Sequence, residues 1–150
     1  TFITDGQTEL FEAAVSVAAS LALVEQQPEA LLDLMFVGEQ TYCFTSGRGV
    51  DHSPHLQEVL ASVQGSDRDN FLQLQQAVLS RLGQCSSFVC VLMHWDERRQ
   101  QLLNSLMRQG LPVAVFLLHE GALTREQCTN KPQYFYLLNY QNLAADLAAI

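Results

Sequence analysis

The chain has 150 residues, the size of one ordinary domain, and 48% of them are hydrophobic while 16% are charged. A chain of this length buries about two-thirds of its surface, so one core holds it without a metal or disulfide. The formal net charge of −8 excludes the basic face that nucleic acids need and disfavours anionic lipid. We therefore expect a single domain over residues 1–150, with no nucleic-acid partner and no direct membrane contact.

The cysteines and the first residues of the chain indicate the cellular compartment of the protein. None of the four cysteines has C-x-x-C spacing, which favours reduced thiols in a cytoplasmic domain. No apolar run reaches the roughly 18 residues that cross a bilayer. The chain opens on Thr1 without a basic leader, which predicts a fragment of a longer protein whose upstream part can carry a membrane anchor. The four thiols are Cys43, Cys85, Cys90 and Cys128.

The first half of the chain predicts a helix, a hairpin and two further helices. Thr8 is an N-cap for a helix over about residues 8–26, because apolar residues follow it at helical spacing. Residues 31–37 and 41–45, separated by a turn at Gly38, favour a β-hairpin. Ser53 and Pro54 begin a helix that runs to about Val63. Asp67 and Asp69 offer caps for another helix, over about residues 70–82.

The second half alternates strands and helices. Residues 87–93 (SFVCVLM) and 112–118 (PVAVFLL) are nearly continuous apolar runs, typical of buried parallel strands. Asp96 is the N-cap of the helix between them, which ends at Gly110. Short links between strands and helices predict a parallel sheet with right-handed crossovers. We also expect a short helix from Thr124, a strand over 134–138 and a helix over 141–150. The side chains expected inside the sheet are Val89, Val91, Val113, Val115 and Phe116.

Several polar residues follow the ends of the two central strands. His94 and Asp96 come after the first, and His119 and Glu120 after the second. Ligands of open α/β sheets bind at that carboxyl edge. For Asp96 two interpretations stay open, a helix cap alone or a cap at a former metal-site position.

Signatures of catalysis are weak. The sequence has no phosphate-binding loop, no dinucleotide glycine motif, no nucleophile elbow and no H-E-x-x-H zinc motif. The spacing of His52 and His55 suits one metal from a helix turn but favours a solvated helix start. A thiol–imidazole pair, Cys90 or Cys128 with His94 or His119, remains as a hypothesis for a small enzyme.

The first helix resembles a known family. Residues 11–21, FEAAVSVAASL, resemble the FE-x-x-VS-x-AAS helix of the family called domain of unknown function 58. The later order of hairpin, glycine loop, apolar strand, Trp95-Asp96 and GLPV strand is similar over nearly the whole chain. The resemblance implies a von Willebrand factor A-like, Rossmann-like α/β fold. That fold is a three-layer sandwich with a mostly parallel sheet of order 3-2-1-4-5-6 and one antiparallel edge hairpin. The first, central strand would be largely missing, with only Phe2 and Ile3 present.

The resemblance also implies a metal-ion-dependent adhesion site, which takes a D-x-S-x-S motif, a threonine from a middle loop and a late aspartate. Asp96 matches the late aspartate, Thr4 can stand for the second serine, and Thr45 and Ser46 are middle-loop candidates. Phe2 occupies the position of the first serine, and a phenyl ring cannot ligate a cation. We therefore expect a degenerate site without bound Mg²⁺, and no other cofactor.

The function implied by the resemblance is that of a non-catalytic protein-interaction domain, an adaptor or assembly module of a bacterial protein. The implied partner is a MoxR-type AAA+ ATPase, and the expected interaction edge is His94, Trp95, His119 and Glu120. The first alternative is a divalent-metal-dependent ligand-binding domain using Asp96, and the second is the small Cys–His enzyme. A missing central strand predicts one of two outcomes. Either its two neighbours, residues 31–37 and 88–93, close up into a five-stranded sheet with the first helix shifted, or a second copy supplies the missing contacts and the fragment forms a homodimer or aggregates.

Overall fold

The protein is an α/β protein in the computed structural model, which describes residues 5–24, 31–37, 41–47, 53–63 and 70–150. The strands are β1 (Leu31–Val37), β2 (Thr41–Gly47), β3 (Phe88–Leu92), β4 (Val113–His119) and β5 (Tyr134–Asn139). The helices are α1 (Asp5–Val24), α2 (Ser53–Ser62), α3 (Phe71–Ser80), α4 (Glu97–Arg108) and α5 (Leu143–Ala148). The predicted α/β class is confirmed, and no helix of the described residues is long and apolar enough to cross a membrane.

The described residues fall into two compact units. Residues 1–8 and 15–80 supply one, called here the hairpin unit, and residues 9–14 and 81–150 supply the other, the parallel-sheet unit. The sequence-based expectation of one domain over residues 1–150 stays a prediction.

The hairpin unit contains a two-stranded antiparallel sheet. Strands β1 and β2 pair from Leu31 opposite Gly47 to Val37 opposite Thr41, and α3 packs against both strands. A small apolar cluster joins α1 to α2 through buried Ala22 and Leu60. The predicted hairpin is therefore present, with β2 longer than expected. Its turn at Gly38 lies outside the described residues.

The parallel-sheet unit contains three strands in the order β3-β4-β5, all parallel. The register places Cys90 beside Val115 and Val115 beside Phe135, so these three residues form one row across the sheet. Parallel neighbours need crossover connections, and the chain supplies α4 for the first of them. The predicted parallel strands are confirmed, with ends that differ by at most one residue.

The core of this unit lies on β4 and α4. Strand β4 has only apolar side chains except for His119 at its end, and Val115 and Leu118 have no exposed surface. Helix α4 packs against β4 and turns one apolar side inward, including Leu106, which is fully buried. Each such side chain contributes about 1.5–3 kcal/mol through burial. The continuous apolar run of the sequence therefore marks a strand covered on both faces.

One expected interior residue is exposed. Val113, Val115 and Phe116 are buried and Val91 is partly buried, but Val89 keeps 50% of its surface exposed. The prediction for Val89 was wrong. Its strand β3 has one described neighbour, and Val89 shares its row with Ala114 and Tyr134, the latter also 50% exposed.

The predicted mixed sheet is not shown. The described strands form two sheets, β1-β2 and β3-β4-β5, so the hairpin is present but its predicted place at the edge of the parallel sheet is not. Phe2 and Ile3, the expected remnant of a first strand, lie outside the described residues, as do the predicted caps Asp67 and Asp69.

Three local predictions needed correction. Helix α1 begins at Asp5, so Thr8 lies inside the helix instead of capping it. After Thr124 the chain forms a 3₁₀ turn, Arg125–Gln127, closed by reciprocal hydrogen bonds between Thr124 and Gln127. The last helix is divided into a 3₁₀ turn, Tyr140–Asn142, and α5, because the Asn139 side chain accepts a hydrogen bond from the Gln141 N–H and caps a separate turn.

Candidate interaction site at the carboxyl end of the parallel sheet

Asp96 orders the start of α4. It is the N-cap, and its Oδ1 accepts a 2.9 Å hydrogen bond from the backbone N–H of Arg99. Its Oδ2 pairs with the Arg99 guanidinium. The predicted cap is confirmed. Because both carboxylate oxygens already have partners, a cation on Asp96 would have to compete with the helix end and with Arg99.

Trp95 ties the β3–α4 connection to the β4–β5 connection. Its indole Nε1 donates a 2.9 Å hydrogen bond to the backbone carbonyl of Thr129. Its ring meets Phe135 of β5 edge to face, with centroids 5.0 Å apart and an interplanar angle of 72°. This is a favoured aromatic geometry, with the polar N–H satisfied at the same time. Trp95 is therefore held in one orientation at the predicted interaction edge.

A second hydrogen bond also holds the β4–β5 connection in place. The Asn130 side-chain amide donates to Gln100 Oε1 at 3.3 Å, which connects the β4–β5 connection to the first turns of α4. Asn130 has a φ of 54°, in the left-handed region, which asparagine tolerates better than most residues. Lys131 Nζ donates to the carbonyl of Cys128 at 3.2 Å and further orders this connection.

The two histidines of the edge differ in their surroundings. Burial lowers the pKa of His94, and the Arg99 cation lowers it further, while Asp96 opposes both. His94 is therefore neutral at pH 7. His119 ends β4, and its Nδ1 is buried without a hydrogen-bond partner in the described part of the chain. Glu120, which follows it, is exposed.

The thiols are poorly suited to nucleophilic attack. Burial raises the pKa of the Cys90 thiol to about 12, so it is protonated at neutral pH. Burial also raises the pKa of Cys128, partly opposed by Lys131. Cys85, Cys90 and Cys128 are free thiols, whereas the side chain of Cys43 lies outside the described residues.

The predicted metal ligands are only partly accounted for. Thr4 lies outside the described residues, and Thr45 is placed in β2 by its backbone alone, as is Ser46. Within residues 70–150 and the other described segments, no group of three or more histidine, cysteine, aspartate or glutamate side chains is arranged to hold a metal ion. His52 and the side chain of His55 also lie outside the described residues.

Sequence reasoning missed the residues that hold this edge in place. Arg99 had a visible signal, because a basic residue three positions after an N-cap aspartate can return to it. Thr129 had none, since its contribution is a backbone carbonyl that any residue would supply. Phe135 was recognisable as a strand residue, but not as the ring that meets Trp95.

The fold and this edge define an α/β protein with a parallel sheet and an ordered aromatic side chain at the carboxyl ends of its strands. Comparisons with protein-family models, with curated protein sequences and with solved structures gave no match.

Proposed function

We propose that this chain is a non-catalytic protein-interaction domain, an adaptor or assembly module. Its contact surface would be the carboxyl edge formed by His94, Trp95, His119 and Glu120. The observation that carries the proposal is the fixation of Trp95 by Thr129 and Phe135. A partly exposed tryptophan with a satisfied N–H is the kind of anchor on which protein interfaces concentrate their binding energy.

The chemistry of the neighbouring groups supports binding over catalysis. The Cys90 thiol stays protonated, which makes it a poor nucleophile. Both carboxylate oxygens of Asp96 have partners, one at the start of α4 and one on the Arg99 guanidinium. Asp96 therefore serves the local structure, and the ordered aromatic side chain is the better candidate for recognition.

The resemblance of residues 11–21 to the domain of unknown function 58 family supports the finer proposal. It comprises a von Willebrand factor A-like fold, a place in the cytoplasm as part of a longer bacterial protein, and a MoxR-type AAA+ ATPase as partner. An acidic chain of net charge −8 would meet a complementary basic surface on that partner.

The test measures the affinity of the chain for a purified MoxR-type AAA+ ATPase encoded in the same genome. Glu120→Lys should weaken binding at least about fivefold, the equivalent of roughly 1 kcal/mol for an exposed charge. The matched control is Glu9→Lys, an exposed glutamate on α1 outside the proposed edge. Equal affinities for the chain, Glu120→Lys and Trp95→Phe would refute the proposed surface.

The two alternative functions have distinct outcomes. Mg²⁺ binding in calorimetry that Asp96→Asn abolishes would favour a metal-dependent ligand-binding domain. Rapid alkylation of Cys90 in the native chain would favour a Cys–His enzyme, since only a thiolate reacts quickly.

A further inference from the structure

Strand β5 has an open outer edge. It pairs with β4 on one side, and in the part of the chain that the structure describes no strand pairs with its other side. Its sequence, YFYLLN, has no charged residue and no proline. Edge strands usually carry such features, which prevent pairing with another strand. Helix α5 packs against β5, and its Asp146 accepts the backbone N–H of Asn139, so a further strand could join this edge only along residues 134–138.

A groove of about 280 Å³ follows this edge. Residues 135–138 of β5 line it together with Arg125, Asp146, Ala149 and Ile150. Successive side chains of a strand point to opposite faces, so a groove bordered by four consecutive residues runs along the strand edge. Its volume is below the roughly 300–1,000 Å³ of small-molecule sites. The strand edge beside the groove, and not this volume, points to an extended main chain as the ligand.

The groove has two charged residues, and only one of their side chains has a hydrogen-bond partner among the residues that the structure describes. Asp146 of α5 accepts a 2.7 Å hydrogen bond from the backbone N–H of Asn139, which fastens α5 to the end of β5. Arg125 is exposed, and its guanidinium has no ion-pair partner within the described residues. Arg125 is therefore the charged group left for a ligand, and guanidinium favours carboxylate.

We propose that the β5 edge binds an extended peptide segment of a partner protein as an added strand, with a carboxylate side chain of that segment against Arg125. Main-chain hydrogen bonds would provide affinity, and the apolar side chains of β5 would receive alternate apolar side chains of the peptide. This surface uses none of the residues of the carboxyl edge, so the proposal goes beyond the proposed function and does not depend on it.

A second copy of the chain fits this edge less well. Its own β5 has no carboxylate to place against Arg125. Each copy also has a formal net charge of −8, which opposes self-association.

The experiment uses the full chain and a panel of labelled eight-residue peptides that alternate valine and threonine, with one glutamate at each position in turn, together with one peptide that has no glutamate. Fluorescence polarisation reports binding, and hydrogen exchange reports the amides of residues 135–138. We expect at least one peptide to bind, and alternate amides of this segment to gain protection, because only half of them point outward. Alternate peptide amides can be N-methylated as two sets, the odd-numbered or the even-numbered positions. N-methylation of one of these two sets should abolish binding.

Matched variants separate the charge from the strand edge. Arg125→Gln should weaken the best glutamate peptide about fivefold and leave the glutamate-free peptide unchanged. The control Arg108→Gln changes an exposed arginine in the last turn of α4 and should change neither affinity. The proposal is overturned if no peptide binds. It is also overturned if N-methylation of neither set of alternate amides weakens binding. It is also overturned if the chain dimerises and protects the β5 amides without peptide, which would identify a second copy as the occupant.

Discussion

The indole Nε1 of Trp95 and the backbone carbonyl of Thr129 are 2.9 Å apart, a hydrogen bond between residues 34 positions apart in sequence. Trp95→Phe keeps an aromatic ring for Phe135 but removes the donor. We expect it to lower the free energy of unfolding by about 1 kcal/mol, the net value of one hydrogen bond. Trp95→Ala should cost more, since the ring contact is lost too. Urea unfolding followed by circular dichroism measures both. An unchanged stability of Trp95→Phe would show that the hydrogen bond contributes nothing, and equal losses in the two variants would show that the ring contact contributes nothing.

Asp96 offers a test of the helix cap. Asp96→Ala removes the acceptor for the Arg99 N–H and should cost about 1 kcal/mol. Asp96→Asn keeps an acceptor at the cap and loses only the ion pair with Arg99, in which one side chain keeps 44% of its surface exposed. That loss should stay below about 0.5 kcal/mol because solvent screens the pair. If the two variants are equally unstable in urea unfolding, the ion pair and not the cap is the dominant interaction.

Phe116 and Val89 test the burial pattern of the sheet. Phe116 keeps 8% of its surface exposed and stacks on Tyr136 with ring centroids 4.9 Å apart. Phe116→Ala should therefore cost about 3–5 kcal/mol through the cavity it leaves. Val89→Ala, at a residue 50% exposed, should cost less than about 1 kcal/mol. Chemical denaturation of both variants checks this, and a small loss for Phe116→Ala would mean that β4 is misplaced.

Cys90 should make stability fall in alkali. The thiol of the unfolded chain ionises near its ordinary pKa of 9.0, whereas burial holds the pKa of the folded thiol at about 12. The folded state binds more protons between those values. Its stabilising contribution is therefore complete below pH 9 and is lost as the pH rises toward 12, by up to about 1.4 kcal/mol per pH unit.

The measurement compares free energies of unfolding at several pH values for the native chain and for Cys90→Ala. Any other group that ionises in alkali is common to both proteins, so the difference between them isolates Cys90. Val91→Ala is the control, because it shortens a side chain of the same strand without removing a titratable group. Identical alkaline slopes in the native chain and Cys90→Ala would contradict a buried, protonated thiol.

The sequence predicted the parallel-sheet unit well because its signals are local. The apolar run of β4 predicted a buried strand correctly, and Asp96 is a strong helix start, whereas β3, predicted as buried from the same signal, has no fully buried residue. Val89 was misjudged by the same reasoning. An apolar residue in a strand is predicted to be buried. Its burial depends on what covers that row of the sheet, which only the tertiary structure determines.

The site was less predictable, for a physical reason. His94, Trp95, His119 and Glu120 were predicted as one edge because parallel strands bring their carboxyl ends together. The partners that fix Trp95 act through a backbone carbonyl, as Thr129 does, or through a side chain from a distant element, as Phe135 does. The β5 groove depends on the end of a sheet and on the place of α5, neither of which leaves a sequence pattern.

Trp95 is the only tryptophan of the 150 residues, and it belongs to the parallel-sheet unit. Excitation at the red edge of indole absorption therefore gives fluorescence from a single residue, which contacts Thr129 and Phe135. The hairpin unit emits nothing there, while its helices contribute to the far-ultraviolet circular dichroism. Denaturation curves from the two optical signals coincide if both units unfold in one cooperative step and separate if they do not. The chain thus carries an intrinsic reporter of its own cooperativity, and no label has to be attached.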